Sequence, residues 1–134
     1  MNQSRNRKLC KVKQLKLWDI HVTMGWWKRL IEKMENIKMF YLWNMIITDE
    51  DIDDILQNND LKALEGIRIG ASEIGYVRLT DESVMKIVRK CHNIKSIGGI
   101  CDWKIRDLLS LLQNLLANGG WRIMLETNQS SINF

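Results

Sequence analysis

The chain has 134 residues, of which 46% are hydrophobic and 27% are charged, and it carries a formal net charge of +4. These values fit one packed globular domain, or part of one, and exclude an intrinsically disordered chain. Proline is absent and the three cysteines form no Cys-x-x-Cys pair, so the composition favours a reduced intracellular protein over a disulfide-stabilised scaffold.

The N-terminal lead-in, residues 1–11, is basic, and six lysines and arginines fall within the first 16 positions. No apolar stretch follows these charges, so we expect no secretory signal. A basic arm of this kind is able to contact nucleic acid, which is one alternative function. The usual behaviour of chain ends favours a solvated, frayed terminus, so nucleic acid is not the expected partner.

The first predicted unit begins at Val12. Leu15 and Leu17 follow at the spacing of a half-buried strand. Thr23 is the expected N-cap of a helix over residues 24–34. The unit is therefore a strand, a turn and a helix.

The same pattern returns 25 residues later, in residues 37–60. Trp43 occupies the register of Trp18. Thr48 is the expected N-cap of the second helix, and Asp51 completes an acidic form of the capping box. Acidic residues in this first turn also suit the positive end of the helix dipole.

A third unit is predicted to begin at Leu61, although a strand shifted by three residues, through Ile67 and Ile69, fits the pattern equally well. An enlarged loop at residues 70–77 precedes a helix with Thr80 at its start. Loops of this kind adapt readily and often lie beside the binding face of a repeat protein. We therefore expect this loop to take part in recognition.

A fourth unit begins at Ile94, with Asp102 as the expected N-cap of a leucine-rich helix that stops at residues 118–120. This helix is too short and too polar to span a bilayer, so we expect no membrane association. A fifth strand is predicted over residues 121–125, and residues 126–134 form a polar tail.

The predicted units therefore begin at residues 12, 37, 61, 94 and 121. Such a period is typical of repeat arrays, in which stacked units bury the apolar faces that a single unit leaves open. We predict an α/β fold over residues 12–125. Its form would be a solenoid of about four strand–turn–helix units, with a parallel sheet on the concave side and helices on the convex side.

The pattern L-x-x-L-x-L, followed by a turn and a helix, resembles that of leucine-rich repeats. Threonine–aspartate–glutamate before two helices, and Cys91 three residues ahead of Ile94, are similar to the cysteine-containing type found in F-box proteins. This resemblance implies the substrate-recognition part of a ubiquitin ligase adaptor, with Skp and cullin as further partners. The sequence contains no F-box, so that module would have to lie outside this chain.

The positions between the core residues of each strand are expected to face the concave surface. Parallel pairing would place Trp18 beside Trp43 and Lys16 beside Tyr41, and large exposed aromatic residues are typical of binding hot spots. A register shifted by one residue would bury these rings, but it would place lysines awkwardly. The predicted protein-binding residues are Lys16, Trp18, Met39, Tyr41 and Trp43, with Gln14 on the same face.

No combination of residues in the sequence supports catalysis or a metal site. Residues 49–60 mimic part of a calcium loop, but Asp54 stands where that loop needs glycine. His21 and His92 lack zinc-ligand spacing. Cys91 fits a small buried residue better than a nucleophile. We therefore expect a protein without enzymatic activity, metal or cofactor.

These patterns together predict a cytoplasmic, or nuclear, protein that binds another protein on its concave sheet and adjacent loops. Three functions follow from them. The first is substrate recognition for an F-box type ubiquitin ligase, which rests on the family resemblance. The second is a leucine-rich-repeat scaffold unrelated to ubiquitin. The third is nucleic-acid association through the basic arm.

Overall fold

A computed structural model describes residues 11–18, 26–119 and 123–126 of the chain. Most of the basic lead-in and the expected cap Thr23 lie outside the described residues. His21, the predicted strand residues Trp121 and Arg122, and the tail after Glu126 also lie outside them.

Seven strands and four α-helices follow one another within the described residues. The strands are β1 (Gln14–Trp18), β2 (Met39–Trp43), β3 (Ile47–Thr48), β4 (Gly66–Gly70), β5 (Val77–Arg78), β6 (Ser96–Gly98) and β7 (Met124–Glu126). The helices are α1 (Trp26–Glu32), α2 (Asp49–Asn58), α3 (Asp81–Lys90) and α4 (Leu108–Ala117), with a 3₁₀ turn at Ile100–Asp102. No helix in these segments is long and apolar enough to cross a membrane.

Five strands form the main sheet, in the order β1–β2–β4–β6–β7, and every neighbouring pair is parallel. The short strands β3 and β5 form a separate parallel pair. Successive strands of the main sheet are connected through a helix, which is how a chain returns to begin a parallel neighbour. The predicted α/β class with a parallel sheet is confirmed.

The third unit adopts the shifted register and begins at Leu64, so the predicted start at Leu61 was wrong. In the pairing of β4 with β2, Ile67 lies opposite Phe40. Leu61 and Leu64 are both buried. The apolar pattern alone therefore could not separate the two registers, and the pairing with β2 decides between them.

The core lies between one face of the main sheet and the helices. Along β2, Phe40 and Leu42 are buried whereas Tyr41 between them is partly exposed. The buried residues of α2 and α3 follow the helical period and join the same cluster as the strand residues. The Trp27 ring of α1 lies 6.5 Å from that of Phe40, measured between centroids. The other face of the main sheet, called the open face below, carries the alternate residues of each strand.

Helices α2 and α3 begin at the predicted threonines. The Thr48 hydroxyl accepts a hydrogen bond from the Asp51 N–H (3.3 Å), and the Asp51 carboxylate accepts one from the Thr48 N–H (2.9 Å). The predicted capping box is therefore present. The Thr80 hydroxyl accepts from the N–H of Glu82 in the same way.

The predicted N-cap of the last helix, Asp102, was wrong. Helix α4 begins at Leu108 and is capped by Asp107, whose carboxylate accepts from the N–H groups of the next residues but one and two. Asp102 instead ends the 3₁₀ turn, and its carboxylate accepts from the Ala71 N–H at 3.1 Å. Two aspartates precede the leucine-rich run, and only the tertiary contact with Ala71 separates their roles.

An ion pair connects α1 to α2. The Lys28 ammonium lies 2.7 Å from the Asp51 carboxylate and 3.0 Å from that of Asp54. Partial burial opposes the charged ammonium, but the hydrogen bonds and charges of the two carboxylates outweigh it and raise the pKa of Lys28 above its ordinary value. The capping box of α2 is therefore held from the preceding helix as well.

Asp49 connects the second unit to the third. Its carboxylate accepts hydrogen bonds from the Thr80 N–H (2.9 Å), the Thr80 hydroxyl (2.7 Å) and the Ser83 hydroxyl (2.6 Å). Ser83 is buried. One carboxylate of α2 thus satisfies polar groups at the start of α3, where the helix dipole also favours negative charge.

Gly99 allows the fourth unit to approach the third. Its φ is +84°, and a side chain at this position would collide with the carbonyl oxygen of Ile69. The same carbonyl accepts a hydrogen bond from the buried Trp103 indole N–H at 2.7 Å. Both the backbone conformation and the close approach therefore require glycine.

We expect Asp49→Ala to lower the free energy of unfolding by about 1–3 kcal/mol, because it leaves the buried Ser83 hydroxyl without its acceptor. Urea denaturation followed by circular dichroism measures this difference. Glu50→Ala removes an exposed acid from the same helical turn and is the matched control. Equal loss of stability in the two variants would show that charge, not the contact with α3, matters.

We expect Gly99→Ala to destabilise the fold by at least about 2 kcal/mol, since it combines a left-handed backbone with a collision against backbone. Gly75 has a similar φ of +90° but nothing within 4 Å of the position that a Cβ would occupy. Gly75→Ala should therefore cost only about 1 kcal/mol of backbone strain. The same urea titration compares the variants, and a smaller loss at Gly99 than at Gly75 would contradict the role of the close approach.

Candidate protein-binding surface

The aromatic cluster consists of Lys16, Trp18, Tyr41 and Trp43 on the open face. The alternation along β1 and β2 turns these residues away from the core, which excludes the register that would bury them. The Trp18 side chain is 59% exposed, an unusual state for so large an apolar group. The cluster therefore offers apolar surface to solvent.

The parallel pairing of β1 with β2 brings the cluster together as the sequence predicted. Trp18 lies opposite Trp43, and Lys16 lies opposite Tyr41. The Lys16 ammonium lies 5.2 Å from the centroid of the Tyr41 ring, which is within cation–π distance. Because β1 is an edge strand, the cluster occupies one end of the open face.

Met39 belongs to the same face but lies flat across it. Its terminal atoms fill the space that a side chain at Gly66, its partner on β4, would need. Arg68 covers Gly98 on β6 in the same way. The open face is therefore low over β4 and β6, whereas the aromatic cluster lies on β1 and β2. Met39 contributes to the floor beside the cluster rather than to the cluster itself.

Charge on the low part of the open face is paired. The Arg68 guanidinium lies 4.0 Å from the Glu126 carboxylate of β7. Each of these side chains is about one-third exposed, so the pair adds little to stability. The aromatic cluster, in contrast, carries a lysine and no acid. Its end of the face is therefore cationic and aromatic.

The loop of residues 71–76 lies next to the aromatic cluster. Asn44, which directly follows Trp43, accepts hydrogen bonds through its side-chain oxygen from the Ser72 N–H (2.6 Å) and hydroxyl (3.1 Å). The loop carries Ile74, whose side chain is 99% exposed. Loop and cluster thus share one edge of the sheet, where the carboxyl ends of parallel strands meet.

Ile74 was missed by reasoning from the sequence, although the enlarged loop itself was recognised. The signal was an isoleucine between Glu73 and Gly75, in a segment too short and too rich in glycine to be a strand or helix. At its base, the loop is fixed to the fourth unit by the contact between Ala71 and Asp102. A fixed base with an apolar tip is a suitable geometry for contact with a partner.

Two cysteines in the described residues have opposite environments. Cys91 is buried at a unit junction, as expected for a small apolar residue, and desolvation raises the pKa of its thiol to about 12. Cys101 is exposed. No group of three or more His, Cys, Asp or Glu side chains in these segments is arranged to hold a metal ion.

A scan against protein-family models finds no match, and no curated protein is similar in sequence. Two solved structures are similar in fold. One is described as leiomodin-1 actin-binding site 2, with a TM-score of 0.60, 11% identity, and coverage of 97% of this chain and 80% of that one. The other is the tropomodulin C-terminal domain of Caenorhabditis elegans, with a TM-score of 0.51, 15% identity, and coverage of 98% and 84%.

These comparisons correct the family expected from the sequence. The similar structures are tropomodulin and leiomodin domains, so the resemblance to leucine-rich-repeat proteins of the F-box type was wrong. At such low identity the likeness establishes the fold alone. The short motifs around Thr48, Thr80 and Cys91 reflect helix capping and burial at unit junctions, which many unrelated chains require.

We expect Cys91 to resist alkylation in the folded protein, because its thiol is buried and a pKa of about 12 leaves almost no thiolate near pH 8. Cys101 should react readily at low protein concentration, and denaturation should make Cys91 react as well. Iodoacetamide labelling followed by peptide mass spectrometry resolves each site separately. Labelling of native Cys91 at the rate of Cys101 would contradict the burial of the junction.

Proposed function

We propose that this protein is a non-catalytic module that binds another protein through the aromatic cluster and the loop of residues 71–76, and that its partner is actin. We also propose that its strand–helix units form a short, open-ended solenoid, since each unit pairs with the next in chain order. The module would act in the cytoplasm.

The exposure of Trp18 carries the binding proposal. A tryptophan that contributes neither to the core nor to a described contact with it has a large apolar surface in water. Tryptophan and tyrosine dominate binding hot spots because they bury much area with few rotatable bonds. The partner surface should therefore offer an apolar pocket for the ring.

Charge narrows the chemistry of that partner surface. Lys16 is the charged member of the cluster, and Lys13 is also exposed on the approach to β1. Acidic side chains of the partner would complement these lysines and strengthen the cation–π pairing by excluding water. A pocket with an acidic rim is therefore the surface that fits this face best.

Actin is the proposed partner because both similar structures have domains of this architecture and one is described as an actin-binding site. The likeness spans nearly the whole chain. The Skp and cullin partners have no support from these comparisons, and the alternative of nucleic acid rests on residues outside the described segments. The specific choice of actin rests on fold likeness, whereas protein binding rests on this chain's own residues.

The test is binding to monomeric actin by calorimetry and to filaments by cosedimentation, with wild type, Trp18→Ala and Ile74→Ser. We expect each variant to bind at least about tenfold more weakly, because each removes an exposed apolar side chain from the contact. Leu116→Ala, which truncates an exposed leucine on α4, is the matched control and should bind as wild type does. Circular dichroism verifies that all four proteins fold.

The outcomes separate the partner from the surface. Absence of wild-type binding to either form of actin would reject actin and leave the surface to be tested on other proteins. Wild-type binding that Trp18→Ala and Ile74→Ser both retain would reject the surface and keep the partner. Loss of binding in Leu116→Ala alone would place the contact on α4 instead.

A further inference from the structure

A second apolar surface lies on α4, away from the aromatic cluster. Leu111 and Leu115 of this helix are buried, but Leu108, Leu112 and two further leucines on the adjoining side are exposed. Leu109 is 65% exposed and Leu116 is 63% exposed. The leucines therefore cover a wider arc of the helix than the core of this chain buries.

The position of α4 in the fold explains why this surface is open. Helices α2 and α3 pack against each other, and the Lys86 ammonium of α3 lies 3.1 Å from the Asp53 carboxylate of α2. In the described residues no later helix follows α4 to occupy the corresponding place on its outer side. Between α4 and the end of the sheet lies a groove of about 480 Å³, lined mainly by apolar residues that include Ile105, Leu108 and Leu125.

The strand beside this groove, β7, has a free edge. It is the last strand of the main sheet. The Met124 N–H and the Glu126 carbonyl both bond towards the β6 side, with Lys95 and Gly99 as their partners. Because hydrogen bonding alternates along a parallel strand, the N–H and carbonyl of Leu125 point to the outer edge. The end of the fold thus combines a strand edge with an exposed leucine face.

We propose that a second copy of this chain covers this end, in a two-fold dimer that joins α4 to α4 and β7 to β7. Helix α4, LLSLLQNLLA, contains no charged residue. An isologous contact places each residue near its own equivalent, so a charged patch would repel itself whereas this one does not. A charge-free leucine face with a strand edge is therefore self-complementary.

The dimer has a defined geometry. Antiparallel pairing of the two β7 strands about Leu125 forms two backbone hydrogen bonds across the axis and continues the main sheet into the partner. An axis perpendicular to the sheet places both α4 helices on its same side, with their exposed leucines directed at each other. The aromatic cluster, on the edge strand β1 at the opposite end of the sheet, remains open for a partner.

The test is sedimentation velocity of the full chain from low to high micromolar concentration. We expect wild type to reach twice the 15.8 kDa mass of the chain. L109E/L116E should weaken self-association at least thirty-fold or about that much, because glutamates would face each other across the axis. Ile74→Glu, which adds the same charge at an exposed isoleucine distant from α4, is the control and should remain dimeric.

Charge complementation distinguishes a second copy from any other occupant. L109K/L116K should also be monomeric, whereas its equimolar mixture with L109E/L116E should form a heterodimer, since opposite charges then meet across the axis. Both positions are mostly exposed, so the variants should retain the wild-type circular dichroism. If they unfold, L109S/L116S replaces them, with the same expected loss of the dimer.

Three results would overturn the proposal. They are a wild-type monomer at high micromolar concentration, a dimer that folded L109E/L116E retains, and a mixture of the glutamate and lysine variants that stays monomeric. A wild-type dimer that these glutamates dissociate and that the mixed charges restore supports it. Neither set of results depends on whether the protein binds actin.

Discussion

The carboxylate of Asp49 is where one strand–helix unit of this protein depends on the next. It leaves the first turn of α2 and satisfies Thr80 and the buried Ser83 at the start of α3. A hydroxyl buried without an acceptor would cost about as much as several surface ion pairs contribute. The two units therefore cannot separate without exposing both this network and the apolar faces of their helices and strands.

The same dependence positions the candidate binding surface. Gly99 and Trp103 bring the fourth unit against the carbonyl of Ile69, and Asp102 holds Ala71 at the base of the exposed loop. The loop tip is thus carried on packed backbone rather than on a free segment. A preorganised apolar tip loses less conformational entropy on binding, which favours recognition over mere exposure.

The two ends of the main sheet carry different chemistry. At β1 the face is aromatic and cationic, with Lys16 over Tyr41. At β7 the neighbouring helix offers leucines without charge. Cationic and aromatic groups suit a partner of different composition, whereas uncharged apolar groups suit pairing with an identical surface. The molecule is therefore organised for two unlike contacts at opposite ends.

The sequence by itself determined the α/β class, the parallel pairing of Trp18 with Trp43, and the caps at Thr48 and Thr80, because periodicity and capping act over a few residues. It did not determine the register of β4, since Leu61 and Leu64 are both apolar and both buried. The part played by Asp102 and the nearness of Ile74 to the aromatic cluster came only from the tertiary structure, through contacts between residues about 30 positions apart. Local patterns carry no record of such contacts, and a motif shared by unrelated folds likewise misidentified the family.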